Sequence, residues 1–314
     1  MQLDRLIAAQ EAASSIEAEL VSRFGADAGG IAEVLKAGDE AMVFSGTFQG
    51  RDAVFKQLLT PDAVQKLAET RDELTFLCEA FADGPVRAVA FLGDLPASQT
   101  LILERAPGMR ASVAMKSGGR AMRSHVVARC GDWLAQVAPL RQQVRPFWGR
   151  KIARRITEDT GAVPPEAADL FERAWQRMAA IGKTHKGIEI QHTMAHGDFA
   201  PVNLNVDGDT VWAFDIQGGH SLPLARMCAR FLVASSIFKE GMPGPLGLDK
   251  DDVQAFDVAR ILPPQEQGAV FAFFVAEQFL RRLKLTHPSE AQLKRALPRL
   301  EALTQGLALT EEHT

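Results

Sequence analysis

The sequence has only three cysteines, Cys78, Cys130 and Cys228, and they lie far apart. So few, odd in number and scattered, they exclude a disulfide-stapled scaffold and a cysteine metal cluster, and they fit reduced thiols packed as small apolar side chains. Long apolar runs are missing as well: Phe271 to Leu280 stops at Arg281-Arg282, short of a membrane span. The opening residues Met1 to Gln10 lack a basic stretch followed by an apolar one, so no secretory leader is expected and the chain is expected in the cytoplasm. Nor is there an excess of one charge. A net charge of −4 with a pI near 6.0 opposes a chain built to coat nucleic acid, and neither nucleic acid nor a membrane is expected as a partner. No internal repeat or low-complexity tract occurs, and the pattern leaves the number of subunits open.

What is present is concentrated in one stretch. Met194-Ala-His-Gly-Asp-Phe-Ala-Pro-Val-Asn-Leu-Asn sets Asp198 and Asn203 in the frame H-x-D-x-x-x-x-N, and Val211-Trp-Ala-Phe-Asp ends a short apolar run on Asp215. The frame has the spacing of a kinase catalytic loop, in which the Asp takes a substrate hydroxyl proton and the Asn holds magnesium. A second metal ligand is expected where Asp215 stands. A migrating phosphoryl group needs little covalent chemistry from a protein, so side chains supply position and charge neutralisation, and three oxygen-bearing ones around magnesium suit both. An isolated His-Gly-Asp would read as a loop with an Asx turn. The full frame, with further elements in order upstream, carries more weight.

His196-Gly197-Asp198-Phe199-Ala200-Pro201-Val202-Asn203 with the downstream Asp215 resembles the Brenner motif and metal-binding Asp of the aminoglycoside phosphotransferase and choline kinase family, relatives of protein kinases that phosphorylate small alcohols. The resemblance implies Asp198 as the catalytic residue, Asn203 and Asp215 as metal ligands, and His196 as a structural residue that orients the loop by hydrogen bonds. It follows the order of elements over nearly the whole chain.

Leu3, Leu6, Ile7, Ile16, Leu20, Val21 and Phe24 recur at helical intervals and predict a leading helix over 3–24. Ile31 to Gly38, Ala41 to Phe48 and Arg51 to Leu59, with a turn at Gln49-Gly50, read as three antiparallel strands. In the kinase scheme the first turn covers the nucleotide phosphates and a Lys near the end of the third strand pairs with them, roles that fall to Gly38 and Lys56. The turn Gly38-Asp39-Glu40-Ala41 departs from that scheme, with one glycine where protein kinases have several and without the Ser-Asn common in the small-molecule family. It is similar instead to the loop of small atypical protein kinases linked to tRNA modification.

Thr60-Pro61-Asp62 predicts a helix start, with a capping hydroxyl, proline at the first position and an acid near the positive end of the dipole. The helix is expected to run to about Asp83-Gly84 and to supply the glutamate that pairs with Lys56. Glu69 and Glu73 are the candidates. Against the apolar stripe Val64, Leu67, Leu74, Cys78 and Phe81, Glu73 lies nearer the flank and is assigned the role. Val86 to Leu92 and Thr100 to Ala106 complete a five-stranded sheet. Leu103 to Gly108 resembles the hinge of the family, whose backbone groups, here at Glu104 and Ala106, hold adenine.

Beyond the hinge, a polar stretch over 112–119 precedes helices around 126–137, 146–157, 166–185, 226–238, 265–285 and 289–307. Arg141, Arg145, Arg150, Lys151, Arg154 and Arg155 gather without an intervening acid; a solvated helix face accounts for them, with an anion-binding or acidic-partner surface as the alternative. Asp249, Asp251 and Asp252 sit at a helix start, which explains them structurally, although such acids also suit a cationic substrate. Pro223 stands where relatives carry an Asp before Leu-Ala.

At 314 residues and 46% hydrophobic composition the chain is long enough for two lobes. The resemblance implies an α+β, bilobal, protein-kinase-like fold: residues 1–106 as a small lobe with a five-stranded antiparallel sheet and one main helix, residues 107–314 as a larger, mostly helical lobe. It implies an enzyme that moves the γ-phosphate of ATP or GTP, with Mg2+, to a hydroxyl of a small metabolite or aminoglycoside-like substrate. The alternatives are an atypical protein kinase, opposed by the missing Arg of the catalytic loop and the missing DFG and APE, and a nucleotide-binding pseudokinase regulator, opposed by intact Asp198, Asn203 and Asp215.

Overall fold

The structure, a computed structural model, describes residues 3–216 and 218–312. The chain divides into two compact units, Met1–Gly108 with Trp212–Gly219, and Met109–Val211 with His220–Thr314. The sequence reading set the division after Ala106 and kept everything beyond it together. In the fold the first unit extends to Gly108 and takes in Trp212–Gly219 as well, so Asp215 belongs with the sheet.

The first unit opens with α1 (Leu3–Phe24), then β1 (Gly29–Ala37), β2 (Ala41–Phe48), β3 (Arg51–Leu58), α2 (Ala63–Ala80), β4 (Val86–Ala88), β5 (Phe91–Leu95) and β6 (Thr100–Glu104). The sheet is five-stranded in the order β1-β2-β3-β6-β5, with every neighbouring pair antiparallel. The β2–β3 connection falls on Gln49 and Gly50, both at positive φ (49° and 75°). Two such residues match the right-handed twist of the flanking strands. Ala9, Ile16 and Leu20 of α1 pack on Phe44, Phe48, Phe55, Leu95 and Ile102 of the sheet, so the leading helix caps the sheet's hydrophobic core.

Two expectations need correction here. The run Val86 to Leu92 is not one strand: β4 ends at Ala88, Val89 N–H donates to Ala213 O (3.1 Å), and Ala90 exchanges bonds with Glu104 before β5 begins. A change of hydrogen-bonding partner breaks the strand, and β5, not β4, fills the sheet's edge. Nor does Thr60 cap α2. The helix starts at Ala63 after Asp62, which gives no side-chain cap bond, while Thr60 O accepts from Ala63 N–H (3.0 Å) in a turn. It ends at Ala80, short of the expected Asp83-Gly84.

The second unit contains β7 (Met109–Arg110), α3 (Ala111–Ser117), α4 (Arg120–Val137), β8 (Gln143–Pro146), α5 (Gly149–Glu158), α6 (Ala168–Thr184), β9 (Glu189–Thr193) and β10 (Leu204–Asp207); β11 (Thr210–Ala213) carries the chain back to the first unit. After the return come β12 (Leu222–Pro223), α7 (Leu224–Ser236), α8 (Lys250–Phe256), α9 (Val258–Ile261), α10 (Ala269–Leu285) and α11 (Glu290–Glu312). The polar stretch over 112–119 is mostly the helix α3, whose Ala111, Ala114 and Met115 are buried. Helix α10 forms the centre: Phe271, Phe273, Phe274 and Phe279 are all buried as packing residues. Phe147 meets Phe273 and Phe274 edge-on at 4.9 and 5.7 Å, a preferred aromatic geometry. Among the described residues no helix is long and apolar enough to cross a membrane.

The lesser candidates fall into structural roles. Cys78, Cys130 and Cys228 are free, and burial pushes all three thiols up, away from reactive thiolate. Arg150, Lys151, Arg154 and Arg155 are exposed on α5, with Arg154 bound to Glu158 one turn on (3.0 Å), as on a solvated helix face. Asp249 caps α8 by accepting from Asp251 and Asp252 N–H (both 3.1 Å), Asp251 pairs with Arg120, and Asp252 with Arg123. Pro223 precedes α7 without a side-chain cap bond.

Candidate active site

The loop after β9 is built around a buried ring and an outward acid. His196 is fully buried, and its Nδ1 accepts from Asp198 N–H at 3.1 Å, which places its ring proton on Nε2. Phe199, also fully buried, stacks on Trp133 (5.6 Å) and leans on Phe231 (5.4 Å), which in turn stacks on Phe256 (5.0 Å). These aromatic contacts nail the loop to α4, α7 and α8 while the neighbouring Asp198 remains half-buried. Asn203 closes the loop: its N–H donates to Ala200 O and its Nδ2 to Asp198 O, both at 2.9 Å. With Nδ2 so used, Oδ1 is the end of the amide left to meet a cation. The backbone of this loop is therefore held by its own hydrogen bonds and ring contacts, with the Asn203 amide tied to the backbone of Asp198.

The carboxylate of Asp198 is not alone in the second unit. Arg230 Nε of α7 donates to Asp198 Oδ1. Arg226, one turn earlier, binds Glu277 of α10 through Nε (3.0 Å to Oε2) and Nη2 (2.9 Å to Oε1). Burial alone would push the Glu277 carboxyl up, but Arg226, with help from Gln278 and Arg281, holds it below the usual carboxylate range. Sequence reasoning missed Arg226, Arg230 and Glu277. The available signal was a pair of arginines at i, i+4 on a helix that is otherwise apolar, facing an acid inside another apolar helix.

In the first unit Lys56 lies on β3, opposite Val43 and Leu101, and its Nζ donates to Asp215 Oδ1. Asp215 has φ 57°, a left-handed backbone that non-glycine residues adopt uncommonly, Asp more readily than most. The following backbone runs close to α2. A Cβ on Gly218 would sit 2.2 Å from Glu69 O, so the approach of this segment to the helix requires glycine. Glu73 is 2% exposed, whereas Glu69 is half-buried and accepts from Gln65 Nε2 at 2.7 Å. Of the two glutamates Glu73 is therefore the buried one.

The turn at Gly38 is tight: Gly38 N–H donates to Ala41 O at 3.1 Å, Leu59 N–H reaches Glu40 O at 2.9 Å, and exposed Asp39 pairs with Arg5 at 2.7 Å. Glu104, at the end of β6, uses its N–H on Ala90 O (2.9 Å) and its carboxylate on Ala90 N–H (3.0 Å). Ala106 follows two residues before the end of this part of the unit at Gly108. The first unit thus holds Gly38, Lys56, Glu73, Glu104, Ala106 and Asp215, and the second holds Asp198 and Asn203.

No family model matches the chain, and no curated protein matches it. Solved structures do. The crystal structure of aminoglycoside phosphotransferase APH(4)-Ia aligns with a TM-score of 0.62 at 16% identity, over 94% of this chain and 99% of that one. A choline/ethanolamine kinase family protein from Mesorhizobium loti aligns with a TM-score of 0.58 at 16% identity, over 96% and 99%. Amicoumacin kinase hAmiN in complex with AMP-PNP, Ca2+ and Ami aligns with a TM-score of 0.59 at 12% identity, over 97% and 96%. The fold is that of the kinase-like phosphotransferases, as the resemblance implied.

Proposed function

We propose that this protein transfers the γ-phosphate of ATP, or of GTP, to a hydroxyl of a small molecule. The observation that carries the reading is the bond between Lys56 and Asp215, which joins a strand lysine to the acid of a distant loop inside the sheet-containing unit. Phosphoryl transfer in this fold calls for those two groups, one on the α- and β-phosphates and one on the metal. In this reading Glu73 holds Lys56 in place, the Gly38 turn covers the phosphates, and the backbone at Glu104 and Ala106 meets the adenine. Because the Glu104 N–H is already used, its contribution falls to the carbonyl.

Magnesium fits the residues available. Among the described residues no group of three or more His, Cys, Asp or Glu stands ready to hold a metal, and magnesium asks for less: one or two protein oxygens beside substrate phosphates and waters. Asn203 Oδ1 and the Asp215 carboxylate would hold it, and a lysine ammonium already rests on that carboxylate. When bound, the ion would neutralise phosphate charge. The acceptor oxygen bonds to the γ-phosphorus, the bond to the β-phosphate oxygen breaks with its electrons leaving on the nucleoside diphosphate, and the hydroxyl proton goes to Asp198. The neighbours that are an aminoglycoside phosphotransferase in complex with hygromycin B, a spectinomycin phosphotransferase and an amicoumacin kinase support a small-molecule acceptor.

A thermal-shift titration with ATP and GTP, with and without magnesium, followed by ADP or GDP release across a panel of hydroxyl metabolites and casein, tests the proposal. Magnesium-dependent stabilisation with turnover on a metabolite is the expected result. Turnover on casein alone would make the protein a protein kinase, and binding without any turnover would make it a regulator.

A further inference from the structure

Helices α7 and α10 of the second unit carry four guanidinium groups, Arg226 and Arg230 on α7 and Arg281 and Arg282 on α10, and Arg230 binds Asp198. Three of them have carboxylates. Arg230 is on Asp198, Arg226 on Glu277, and Arg281 lies 3.3 Å from Glu277 and 3.1 Å from Asp159. Arg282 has none. Among the described residues its guanidinium makes no hydrogen bond or ion pair, its Nε is buried without a partner, and its central carbon lies over the Phe238 ring, 6.0 Å from the centroid. Burial, then the positive charge of Arg230, lowers its pKa, and only Asp198 acts in the other direction. A half-buried guanidinium without a counter-anion is costly to keep, and a matching ligand anion removes the cost.

The acids that would draw a cationic substrate are already occupied. Asp249, Asp251 and Asp252 are used by a helix cap and by Lys239, Arg120 and Arg123. We propose that the acceptor alcohol carries a carboxylate or phosphate group, and that Arg282, one turn after the Gln278 that Arg230 bonds (3.3 Å), binds this anion and so presents the hydroxyl to Asp198. The proposal rests on the phosphotransferase reading for the hydroxyl but not for the anion. Arginine suits the role because its planar fork binds either anion through paired hydrogen bonds.

Binding and turnover separate the two ideas. Calorimetric titration of the protein with D-glycerate, sn-glycerol 3-phosphate, glycerol and 2-amino-1,3-propanediol compares a carboxylate, a phosphate, a neutral and a cationic alcohol of similar size. Glycerate or glycerol 3-phosphate is expected to bind more tightly than the other two, and whichever binds better identifies the anion. Arg282→Met should weaken that binding by roughly ten- to a hundredfold, the loss typical of a charged hydrogen-bonding group, and Arg282→Lys should recover part of it. Melting temperature and ATP affinity report whether the Arg282→Met protein is folded. Equal binding of all four alcohols, or anion binding indifferent to Arg282→Met in the folded protein, overturns the inference. Phosphate transfer to neutral or cationic alcohols with no role for Arg282 would overturn it while leaving the phosphotransferase reading intact. Arg282-dependent anion binding without transfer to any acceptor would support the anion site and count against phosphotransfer.

Discussion

The ammonium of Lys56 donates to the carboxylate of Asp215, 159 positions later in the chain, and both residues belong to the unit that holds the five-stranded sheet. Losing Asp215 therefore removes the partner of Lys56 as well as a proposed metal ligand. Asp215→Ala is expected to weaken nucleotide binding and to abolish its magnesium dependence, measured by titration with and without the ion. Nucleotide binding that keeps wild-type magnesium dependence would place the metal elsewhere.

Glu73 and Glu69 lie one helical turn apart in α2, yet only Glu73 is buried. Truncating a buried charge's partner strands the other charge, at a cost of several kcal/mol, whereas a half-buried glutamate bonded to Gln65 one turn back on the same helix contributes about 1 kcal/mol or less. Glu73→Ala should cut turnover strongly and Glu69→Ala only slightly. Lys56→Ala combined with Glu73→Ala should cost much less than the two losses added. Rates at saturating nucleotide decide the matter, and additive losses would dissociate Lys56 from Glu73.

A methyl group on Gly218 would sit 2.2 Å from the backbone oxygen of Glu69. Neither the helix nor the loop yields there without moving backbone. Gly218→Ala should destabilise the protein by about 1–3 kcal/mol and displace the segment that carries Asp215, lowering nucleotide affinity too. An unchanged urea midpoint would show that the loop moves away freely.

Arg226 and Glu277 make a pair whose pH response has a definite sign. The folded-state pKa of Glu277 lies below its ordinary value, so its contribution to stability is complete above the ordinary glutamate pKa and is lost as pH falls through the folded value. Arg226→Met leaves the 1%-exposed carboxylate short of its main partner, costing about 3–5 kcal/mol at neutral pH. Burial then raises the Glu277 pKa and reverses the sign, so the variant should be less destabilised relative to wild type at pH 5 than at pH 8. Equal destabilisation at both values would contradict the assignment.

Legibility in the sequence followed how local each signal is. The strand pair Ala41–Phe48 and Arg51–Leu58 was readable because Gln49-Gly50 is a turn that needs no distant partner. The Asp198 loop was readable from spacing, and its rigidity follows from neighbours such as Phe199 and Asn203. What depended on remote partners was hidden. Val86 to Leu92 breaks because Ala213 and Glu104 claim Val89 and Ala90. Thr60 looked like a cap, but the local turn to Ala63 used its carbonyl instead. The membership of Asp215 in the first unit had no periodic or compositional mark, and the arginine pair of α7 was marked by its spacing while its partners Asp198 and Glu277 were not.

In the proposed reaction Asp198 takes the proton of an acceptor alcohol during phosphoryl transfer. The most direct test compares wild type with Asp198→Asn: nucleoside diphosphate release with magnesium nucleotide across the hydroxyl panel, and nucleotide affinity by titration of the same preparations. Turnover should fall by about 10² to 10⁴ while nucleotide affinity stays within about twofold of wild type, because the lost group acts on the acceptor. Near-normal turnover by folded Asp198→Asn would contradict the account.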